Sequence, residues 1–376
     1  MSSLYIGLMS GTSLDGVDGV LVDLGAADAD RLALRVVAHE HRPFDAALRS
    51  ELLTLNGRCD DELARGARAA NALARLYAQV VAALLVAGGV ERGAVRAVAA
   101  HGQTVRHRPR PLDDSGYTIQ LNAPALLAEL CGIDVVADFR SRDIAAGGQG
   151  APLVPAFHRA CFAPAAGATI GVLNLGGIAN LTVLAGDTTL GFDCGPANAL
   201  LDLWCERHTG RPYDAGGRWA AGGQVLPELL GALLAAPYFE LAPPKSTGRD
   251  LFNPAWLDPL LAQHAAQADP QDVQATLAEL TAASVAHDVR ANAPECSELL
   301  VCGGGAYNAH LLDRLGALLA PLPVRTTASR RLPPIQVEAA AFAWLARQFT
   351  LRRAGNLASV TGAAGPRLLG ALYPAG

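Results

Sequence analysis

The sequence has no long run of basic residues. Its 376 residues carry 30 Lys and Arg against 35 Asp and Glu, which gives a formal net charge of −5. A mildly acidic chain gives no electrostatic reason to expect nucleic acid or an anionic membrane as a partner. We therefore expect neither.

Signals for disulfides, zinc and export are missing as well. The seven cysteines include no C-x-x-C pair, which favours buried thiols in a reducing cytoplasm. His39 and His41 flank Glu40, but no further ligands stand at the spacing of a zinc site. The N-terminus lacks the basic and apolar regions of a signal peptide, and the apolar stretch 80–89 is far shorter than the ~18 residues of a membrane-spanning helix. We predict a cytoplasmic protein.

The common short nucleotide-binding motifs are also absent. Lys245-Ser246-Thr247 follows Pro244 rather than glycine, so this segment is not a Walker loop. No G-x-G-x-x-G occurs, and the H-R-D and D-F-G signatures of protein kinases are missing. Any nucleotide site must therefore be built in another way.

Predicted strands and helices alternate in two successive series. Hydrophobic residues make up 51% and charged residues 17% of the chain, and its length suits two domains at roughly 150 residues each. The periodicity predicts three strands, a helix, a strand, a helix and a strand in the first half, and a similar order in the second. This alternation indicates the α/β class. We predict domains at 1–165 and 166–376, with a C-terminal tail that can cross back to the first.

A glycine-rich turn joins the first two predicted strands. Its glycines permit close backbone approach, and consecutive N–H groups in such a turn can bind an anion. Its two aspartates suit a phosphate only if a divalent cation lies between them. A plain hairpin loop is the alternative interpretation. The candidate phosphate-binding residues are Gly11, Thr12, Ser13, Leu14, Asp15, Gly16, Val17 and Asp18.

Three more glycine-rich segments follow predicted strands, at 174–180, 193–198 and 303–305. Glycine at such a position is common for steric reasons alone. Together with the first turn, they would provide two hairpin clamps and two helix N-termini, a combination that suits a polyphosphate. The further candidate nucleotide-binding residues are Asn174, Gly176, Gly177, Asn180, Gly303, Gly304 and Gly305.

A dense polar cluster follows the strand ends of the first half. Asn, Gln, Arg and Asp are residue types that bind sugar hydroxyls, amides and carboxylates. A solvated loop with a few ion pairs is the alternative. Asn122 is also the predicted N-cap of a helix at 124–131. The candidate substrate residues are His101, Gln103, Thr104, Gln120, Asn122, Asp138, Arg140 and Asp143.

Taken together, these motifs resemble the anhydro-N-acetylmuramic acid kinase family. The N-terminal signature is GLMSGTSLDGVD at 7–18. The other matching segments are HGQT at 101–104, VVADFR at 135–140, AAGGQGAPLVP at 145–155, NLGGIAN at 174–180, GFDCGP at 191–196, PKSTGR at 244–249 and VCGGG at 301–305. Ala197 stands where family members often have glycine, a change that we expect to be tolerated if the residue is helical.

The resemblance implies the actin, hexokinase and Hsp70 superfold, with two duplicated actin-like (ribonuclease H-like) domains around an ATP cleft. Family members phosphorylate O6 of 1,6-anhydro-N-acetylmuramic acid and hydrolyse its anhydro bridge, which yields N-acetylmuramic acid 6-phosphate in peptidoglycan recycling. By similarity, residues 11–18 would bind ATP, Asp193 would be the catalytic base, and Glu338 would be a late acidic residue at the substrate. We expect ATP and Mg²⁺ as cofactors, sugar contacts from the first domain, the base from the second, and a homodimer.

Two other functions suit the same fold. One is another sugar or acyl kinase of the superfold, which assays with other acceptors would separate. The second is a non-enzymatic, ATP-switched assembly protein, which filaments or peptide-stimulated hydrolysis would favour.

Overall fold

The protein is described here by a computed structural model that covers residues 3–11, 13–25, 32–109, 116–165, 167–248 and 251–376. Two residues of the sequence motifs, Thr12 and Arg249, lie outside the described residues. The strands are β1 (Leu4–Met9), β2 (Gly16–Gly25), β3 (Ala33–Pro43), β4 (Val95–Ala100), β5 (Gln103–Arg108), β6 (Tyr117–Leu121), β7 (Val135–Ala137), β8 (Thr169–Leu175), β9 (Ile178–Ala185), β10 (Thr188–Pro196), β11 (Cys296–Cys302), β12 (Val324–Thr326) and β13 (Ala371–Tyr373). The helices are α1 (Ala46–Leu55), α2 (Glu62–Gly88), α3 (Pro124–Cys131), α4 (Ser141–Ala145), α5 (Val154–Phe162), α6 (Asn198–Thr209), α7 (Pro227–Leu234), α8 (Pro254–His264), α9 (Pro270–Asn292), α10 (Ala309–Leu319), α11 (Val337–Thr350) and α12 (Ala358–Thr361).

The two larger sheets share one topology. The first has the order β13-β7-β4-β1-β2-β3 and the second the order β12-β11-β8-β9-β10. In each, the first three strands form an antiparallel meander, and the fourth strand pairs in parallel with the first and with the next strand. The predicted α/β class and the duplication are confirmed, and the repeated topology is the architecture expected of two actin-like domains.

The chain forms two compact units. Met1–Phe162 and Gln336–Gly376 make the first, and Ala163–Ile335 makes the second. The division after Phe162 falls close to the predicted boundary. The C-terminal segment groups with the first unit because α11 packs on β1, and β13 pairs with β7. The chain therefore re-enters the first unit at Gln336, and the second unit is shorter than the predicted 166–376.

The core of the first unit lies between its sheet and α2. The buried face of α2 carries Leu73, Tyr77 and Leu84, none of which is exposed. By length and composition alone, α2 could also cross a membrane, because an 18-residue window within it has a mean hydropathy of 1.5. The apolar stretch of α2 is therefore longer than the segment 80–89 identified from the sequence. Its packing against the sheet is that of a core helix.

The element predictions were good where the apolar pattern is regular. The sequence predicts a strand at 95–100, a helix at 124–131 and Asp269 as the N-cap of a helix from 271, and the structure has β4 and α3 at these bounds and Asp269 as the N-cap of α9. The prediction of Asn122 as a helix cap was wrong, because Ala123 is the N-cap and the Asn122 amide instead donates to the Ala100 carbonyl (3.0 Å). The β5–β6 hairpin went unpredicted, since its strands are mostly polar.

Candidate active site

In the first unit, the glycine-rich turn is tied to the end of β4. Ser10 donates to the Gly102 carbonyl and bonds the Tyr77 hydroxyl, both at 3.0 Å, and the Gly102 N–H donates to the same hydroxyl (3.1 Å). The Gln103 side-chain amide donates to the Gly11 carbonyl (3.0 Å). The first and fourth strand ends are therefore held together by buried polar side chains.

Not every residue of the turn faces outward. Ser13 and Asp15 are exposed, and the Ser13 hydroxyl donates to the Asp15 carboxylate (2.8 Å). Leu14 and Val17 belong to the hydrophobic core, so only their backbone atoms could meet a phosphate. A Cβ on Gly16 would lie 2.3 Å from the Arg42 carbonyl, which makes close strand packing the reason for that glycine.

Asp18 is engaged by two histidines of the neighbouring strand. Its Oδ1 lies 3.3 Å from His39 Nε2 and 3.1 Å from His41 Nδ1. Burial alone would raise the pKa of Asp18, but the hydrogen bonds to His39 and His41 outweigh it and hold the pKa below its usual value. The bond to Asp18 raises the pKa of His41. Asp18 therefore braces β2 against β3, and Asp15 is the exposed carboxylate of the turn.

His101 and Arg140 form the centre of the predicted sugar cluster. The Arg140 guanidinium donates to His101 Nε2 (3.0 Å from Nε) and to the Gly150 carbonyl (2.8 Å), while His101 Nδ1 donates to the Gly102 carbonyl (2.6 Å). Burial, followed by the charge of Arg140, lowers the pKa of His101 to about 3. His101 is therefore neutral at physiological pH, with its proton on Nδ1.

Glu338, in the first turn of α11, interacts with the same arginine. Burial lowers the pKa of Arg140 to about 10, and the charge of Glu338 opposes this shift. One helical turn further on, the Phe342 ring packs on His101 at 4.6 Å between centroids. The structure thus places Glu338 with the polar cluster, although more than 190 residues separate it from Arg140 in sequence.

The other members of the cluster differ in accessibility. Asp138 is exposed, and its Oδ1 accepts from the Ser141 hydroxyl (2.5 Å). Gln120 is partly exposed and donates to Thr104 Oγ1 (3.2 Å). Asn122 is also partly exposed. By contrast, His101 and Gln103 are buried and bonded to protein atoms. The accessible candidates are Thr104, Gln120, Asn122, Asp138, Arg140 and Glu338.

Asp143 differs from the accessible members of the cluster in its burial. It is fully buried. Its Oδ2 accepts from the Gly150 N–H (2.8 Å), and its Oδ1 accepts from the Asn356 amide (2.6 Å) and the Thr361 hydroxyl (2.7 Å). Because protein donors occupy both oxygens, the structure favours a structural role for Asp143 over that of a sugar ligand. Asp143 fastens the glycine-rich segment 145–150 to the C-terminal segment of the same unit.

In the second unit, three glycine-rich segments meet at one edge of the sheet. Cys302 pairs with Asn174 at the ends of β11 and β8. A Cβ on Gly303 would lie 2.3 Å from Asn174 Oδ1, and one on Gly305 would lie 2.6 Å from Leu175 Cβ. Gly176, Gly177 and Asn180 are partly exposed, and Gly304 is exposed. The structure therefore brings the predicted nucleotide-binding residues of this unit together.

The start of α6 joins the same edge. The N–H groups of Asn198 and Ala197 donate to the carbonyls of Gly176 and Gly177 (both 3.0 Å), and the Asn198 side chain donates to the Leu175 carbonyl (3.1 Å). We expected alanine to be tolerated at 197 if the residue is helical, but Ala197 is the N-cap and is not helical. Its φ of −130° nevertheless lies outside the left-handed region, so alanine is tolerated.

Asp193 lies in β10, and Ala197 rather than Asp193 is the N-cap of α6. Its Oδ2 accepts from the Ser246 hydroxyl and the Thr247 N–H, both at 3.0 Å. Among the described residues, no hydrogen bond reaches Oδ1. Burial raises the pKa of the Asp193 carboxyl, while the two donors and the charge of Lys245 oppose that shift. A carboxylate held on one oxygen in this way is suited to accept a proton on the other.

Sequence reasoning missed the residues that support these groups. Ser246 and Thr247 lie in the family-matching segment 244–249 but were assigned no role, yet they hold Asp193. Tyr77 was not predicted as a site residue, yet its hydroxyl joins the two strand ends of the first unit. No local pattern marks such long-range partners.

The described residues contain no group of three or more His, Cys, Asp or Glu that could hold a metal ion. Mg²⁺ does not need such a cage, because it usually binds one or two carboxylates together with substrate phosphates and water. The exposed Asp15 at the glycine-rich turn fits that requirement.

Two copies of one sheet, with glycine-rich turns at the ends of its strands, place the protein in the actin-like α/β class. A family model described as anhydro-N-acetylmuramic acid kinase matches residues 3–375. The chain belongs to the anhydro-N-acetylmuramic acid kinase family and is an ATP-dependent carbohydrate kinase.

Curated relatives agree over their full length. The anhydro-N-acetylmuramic acid kinase of Variovorax paradoxus is 62% identical over 99% of both chains. That of Albidiferax ferrireducens is 57% identical over 100% of both. Among solved structures, the activator of 2-hydroxyisocaproyl-CoA dehydratase from Clostridium difficile is 12% identical and has a TM-score of 0.47, with 93% of this chain and 97% of that chain covered. That likeness is too distant to add to the assignment.

Proposed function

We propose that this protein converts 1,6-anhydro-N-acetylmuramic acid, ATP and water to N-acetylmuramic acid 6-phosphate and ADP, a step of peptidoglycan recycling. The family assignment gives the sugar and the kinase activity. The observation that carries the mechanism is the arrangement of Asp193, whose carboxylate is held through Oδ2 by two donors of one short segment.

The reaction requires a base for water rather than for the acceptor oxygen. O6 of the substrate is a bridge oxygen and carries no proton. Water attacks the anomeric carbon, the bond from that carbon to O6 breaks, and O6 takes the γ-phosphoryl group of ATP. Asp193 accepts the proton that the water loses. Burial raises the pKa of the Asp193 carboxyl. We therefore expect the acid limb of the pH profile of kcat to lie at a higher pH than for an ordinary aspartate, whose pKa is near 3.9.

Each unit has glycine-rich turns whose backbone groups are candidate contacts for ATP. In the second unit, the partly exposed Gly176, Gly177 and Asn180 adjoin Gly303 and Gly304. In the first unit, residues 11–18 supply backbone N–H groups, with the exposed Asp15 as the carboxylate available to Mg²⁺. When bound with ATP, Mg²⁺ would neutralise charge on the phosphates.

The sugar would be recognised by the accessible polar cluster of the first unit. Arg140 is a cation suited to a carboxylate such as a lactyl group. Asp138, Gln120 and Asn122 are suited to hydroxyl and amide groups. Glu338 shares this location through its interaction with Arg140.

Asp193→Asn tests the assignment. The amide keeps the shape but accepts no proton from water, so we expect ATP to bind normally and kcat to fall by about 10²–10⁴-fold. Asp187→Asn is the matched control, because this exposed aspartate lies at the other end of the β9–β10 hairpin. Near-normal turnover of Asp193→Asn would contradict the role of this residue.

Mass spectrometry of the product in ¹⁸O-water tests the coupled reaction. Incorporation of one ¹⁸O at the anomeric carbon is expected. Assays with N-acetylglucosamine and plain muramic acid as acceptors test the sugar preference, and equal rates would favour a different sugar kinase. The homodimer, the cytoplasmic location and the absence of nucleic-acid and membrane partners stay predictions; sedimentation velocity would test the first.

A further inference from the structure

The chain contains a single lysine. Among its 30 Lys and Arg residues, only residue 245 is lysine, and all the others are arginine. The lysine ammonium is a compact charge on a flexible stem, whereas the arginine guanidinium is a rigid planar fork, so the two are not interchangeable at a tight site. Lysine thus stands at one position of this chain, and arginine supplies every other basic side chain of the Lys and Arg set.

That position is buried. Lys245 Nζ lies 2.9 Å from Asp288 Oδ1 of α9, and the two side chains are only 2% and 4% exposed. The ammonium also stands over two aromatic rings, 5.2 Å from the centroid of Tyr238 and 5.8 Å from that of Phe192. The space around the ammonium is therefore closed by a carboxylate and two ring faces.

A buried ion pair is a poor device for stability alone. Removing two charges from water costs as much as, or more than, their attraction returns, and apolar residues of similar volume often serve equally well. The retention of this pair points to a positional requirement. The neighbours of Lys245 along the chain indicate what is positioned.

Both donors to Asp193 come from the two residues that follow Lys245. Ser246 and Thr247 hold the Asp193 carboxylate, and the Lys245 carbonyl accepts from the Asp193 N–H (3.1 Å). Residues 245–248 lie in neither helix nor strand, so no backbone ladder fixes the two donors. Tyr238, which packs on the ammonium, also donates to the Asp193 carbonyl (2.7 Å).

We propose that the buried Lys245–Asp288 pair is a positioning device for Asp193: it anchors the segment 245–247 so that Ser246 and Thr247 hold one oxygen of the carboxylate and aim the other at the attacking water. The proposal rests on the proposed function in taking Asp193 as the base. Lys245 itself touches neither ATP nor sugar in this role.

Two variants test the pair. K245M/D288N removes both charges while keeping similar side-chain shapes, so no uncompensated charge stays buried. K245R keeps the charge but replaces the compact ammonium with a larger planar group. In both variants, we expect kcat to fall by at least tenfold. The upper limit is about 10²-fold, the loss that a 1 Å misplacement of a catalytic group can cause. The KM values for sugar and ATP should be unchanged, because neither substrate loses a contact.

Arg314→Met is the matched control. It breaks another ion pair of the same helix, Arg314 to Glu279 (2.7 Å), which makes no contact with the segment 245–247. If general loosening of α9 were responsible, this control would lose kcat as well. Circular dichroism and the Kd for ATP, from calorimetry, establish that each variant is folded.

The outcomes separate the two proposals. Wild-type kcat in K245M/D288N and K245R, with an inactive Asp193→Asn, would overturn the positioning role and leave the base in place. An active Asp193→Asn would overturn the proposed function instead. If the double variant fails to fold, Ser246→Ala tests the proposal instead. This change leaves the Lys245–Asp288 pair intact and removes one of the two donors to the Asp193 carboxylate. Loss of kcat at constant KM supports the proposal, and wild-type kcat refutes it.

Discussion

Asp143 offers a test that separates a structural residue from a sugar ligand. Asp143→Ala removes the acceptor of three buried donors, those of Gly150, Asn356 and Thr361. Each donor left unsatisfied costs about 1–3 kcal/mol. Three such donors together would cost about 3–9 kcal/mol. Because the loop can relax in part, we expect the lower part of this range, a loss of about 3–5 kcal/mol in the free energy of unfolding.

Asp143→Asn should cost less. The amide keeps one oxygen, which can still accept from Asn356 and Thr361, but its NH₂ group opposes the Gly150 N–H. The expected loss is about 1–3 kcal/mol. Urea denaturation followed by circular dichroism measures both variants, and Tm should fall by about 10 °C for alanine at roughly 2–4 °C per kcal/mol. Glu129→Gln, an exposed carboxylate change in the same unit, should leave stability unchanged.

Sugar kinetics supply the decisive contrast. A buried structural carboxylate should affect stability first, with little change in the sugar KM at temperatures where the variant is folded. If Asp143→Asn had wild-type stability and a strongly raised sugar KM, the residue would be a sugar ligand after all, and the reasoning from its burial would be refuted.

Two further predictions concern protonation and packing. Burial lowers the pKa of His158 to about 3, below its unfolded value of about 6.5, so its contribution to stability is present above pH 6.5 and is lost as the pH falls. His158→Phe should therefore reduce the loss of stability between pH 7 and pH 5 by about 2 kcal/mol in denaturation curves; an unchanged pH dependence would contradict this. Gly303→Ala should weaken ATP binding in calorimetry, because φ is +81° and a Cβ would lie 2.3 Å from Asn174 Oδ1. Gly304→Ala should be tolerated, since its nearest atom is 3.8 Å away, and equal effects of the two changes would refute the packing argument.

The fold was accessible from the sequence where the pattern is local and regular. The bounds of β4 and α3 follow from short apolar runs that end at glycine or begin at proline. The duplication followed from the order of these elements. The mostly polar β5–β6 hairpin has no such pattern, and the return of Gln336–Gly376 to the first unit depends on packing of α11 against β1.

The site was accessible in part, for a related reason. Residue type and position after a strand identified His101, Arg140 and the glycine-rich segments. They could not show that Asp143 faces inward, because its donors Asn356 and Thr361 lie more than 210 residues away in sequence. Long-range pairing is decided by tertiary structure, and no local signal records it.

The two units repeat a detail that their sequences hide. Each unit has a glycine with positive φ just after its fourth strand. Gly102, with φ +82°, is the second residue after β4, and Gly303, with φ +81°, is the first residue after β11. In both, a Cβ would collide with a neighbouring segment, at 2.7 Å from the Leu121 carbonyl for Gly102 and at 2.3 Å from Asn174 Oδ1 for Gly303. A glycine with positive φ thus recurs near the end of the fourth strand of each sheet. Its surroundings differ, since the first turn adjoins the buried His101 and the second the exposed Gly304. Both units therefore require a residue without a Cβ at this position, although the side chains around it differ.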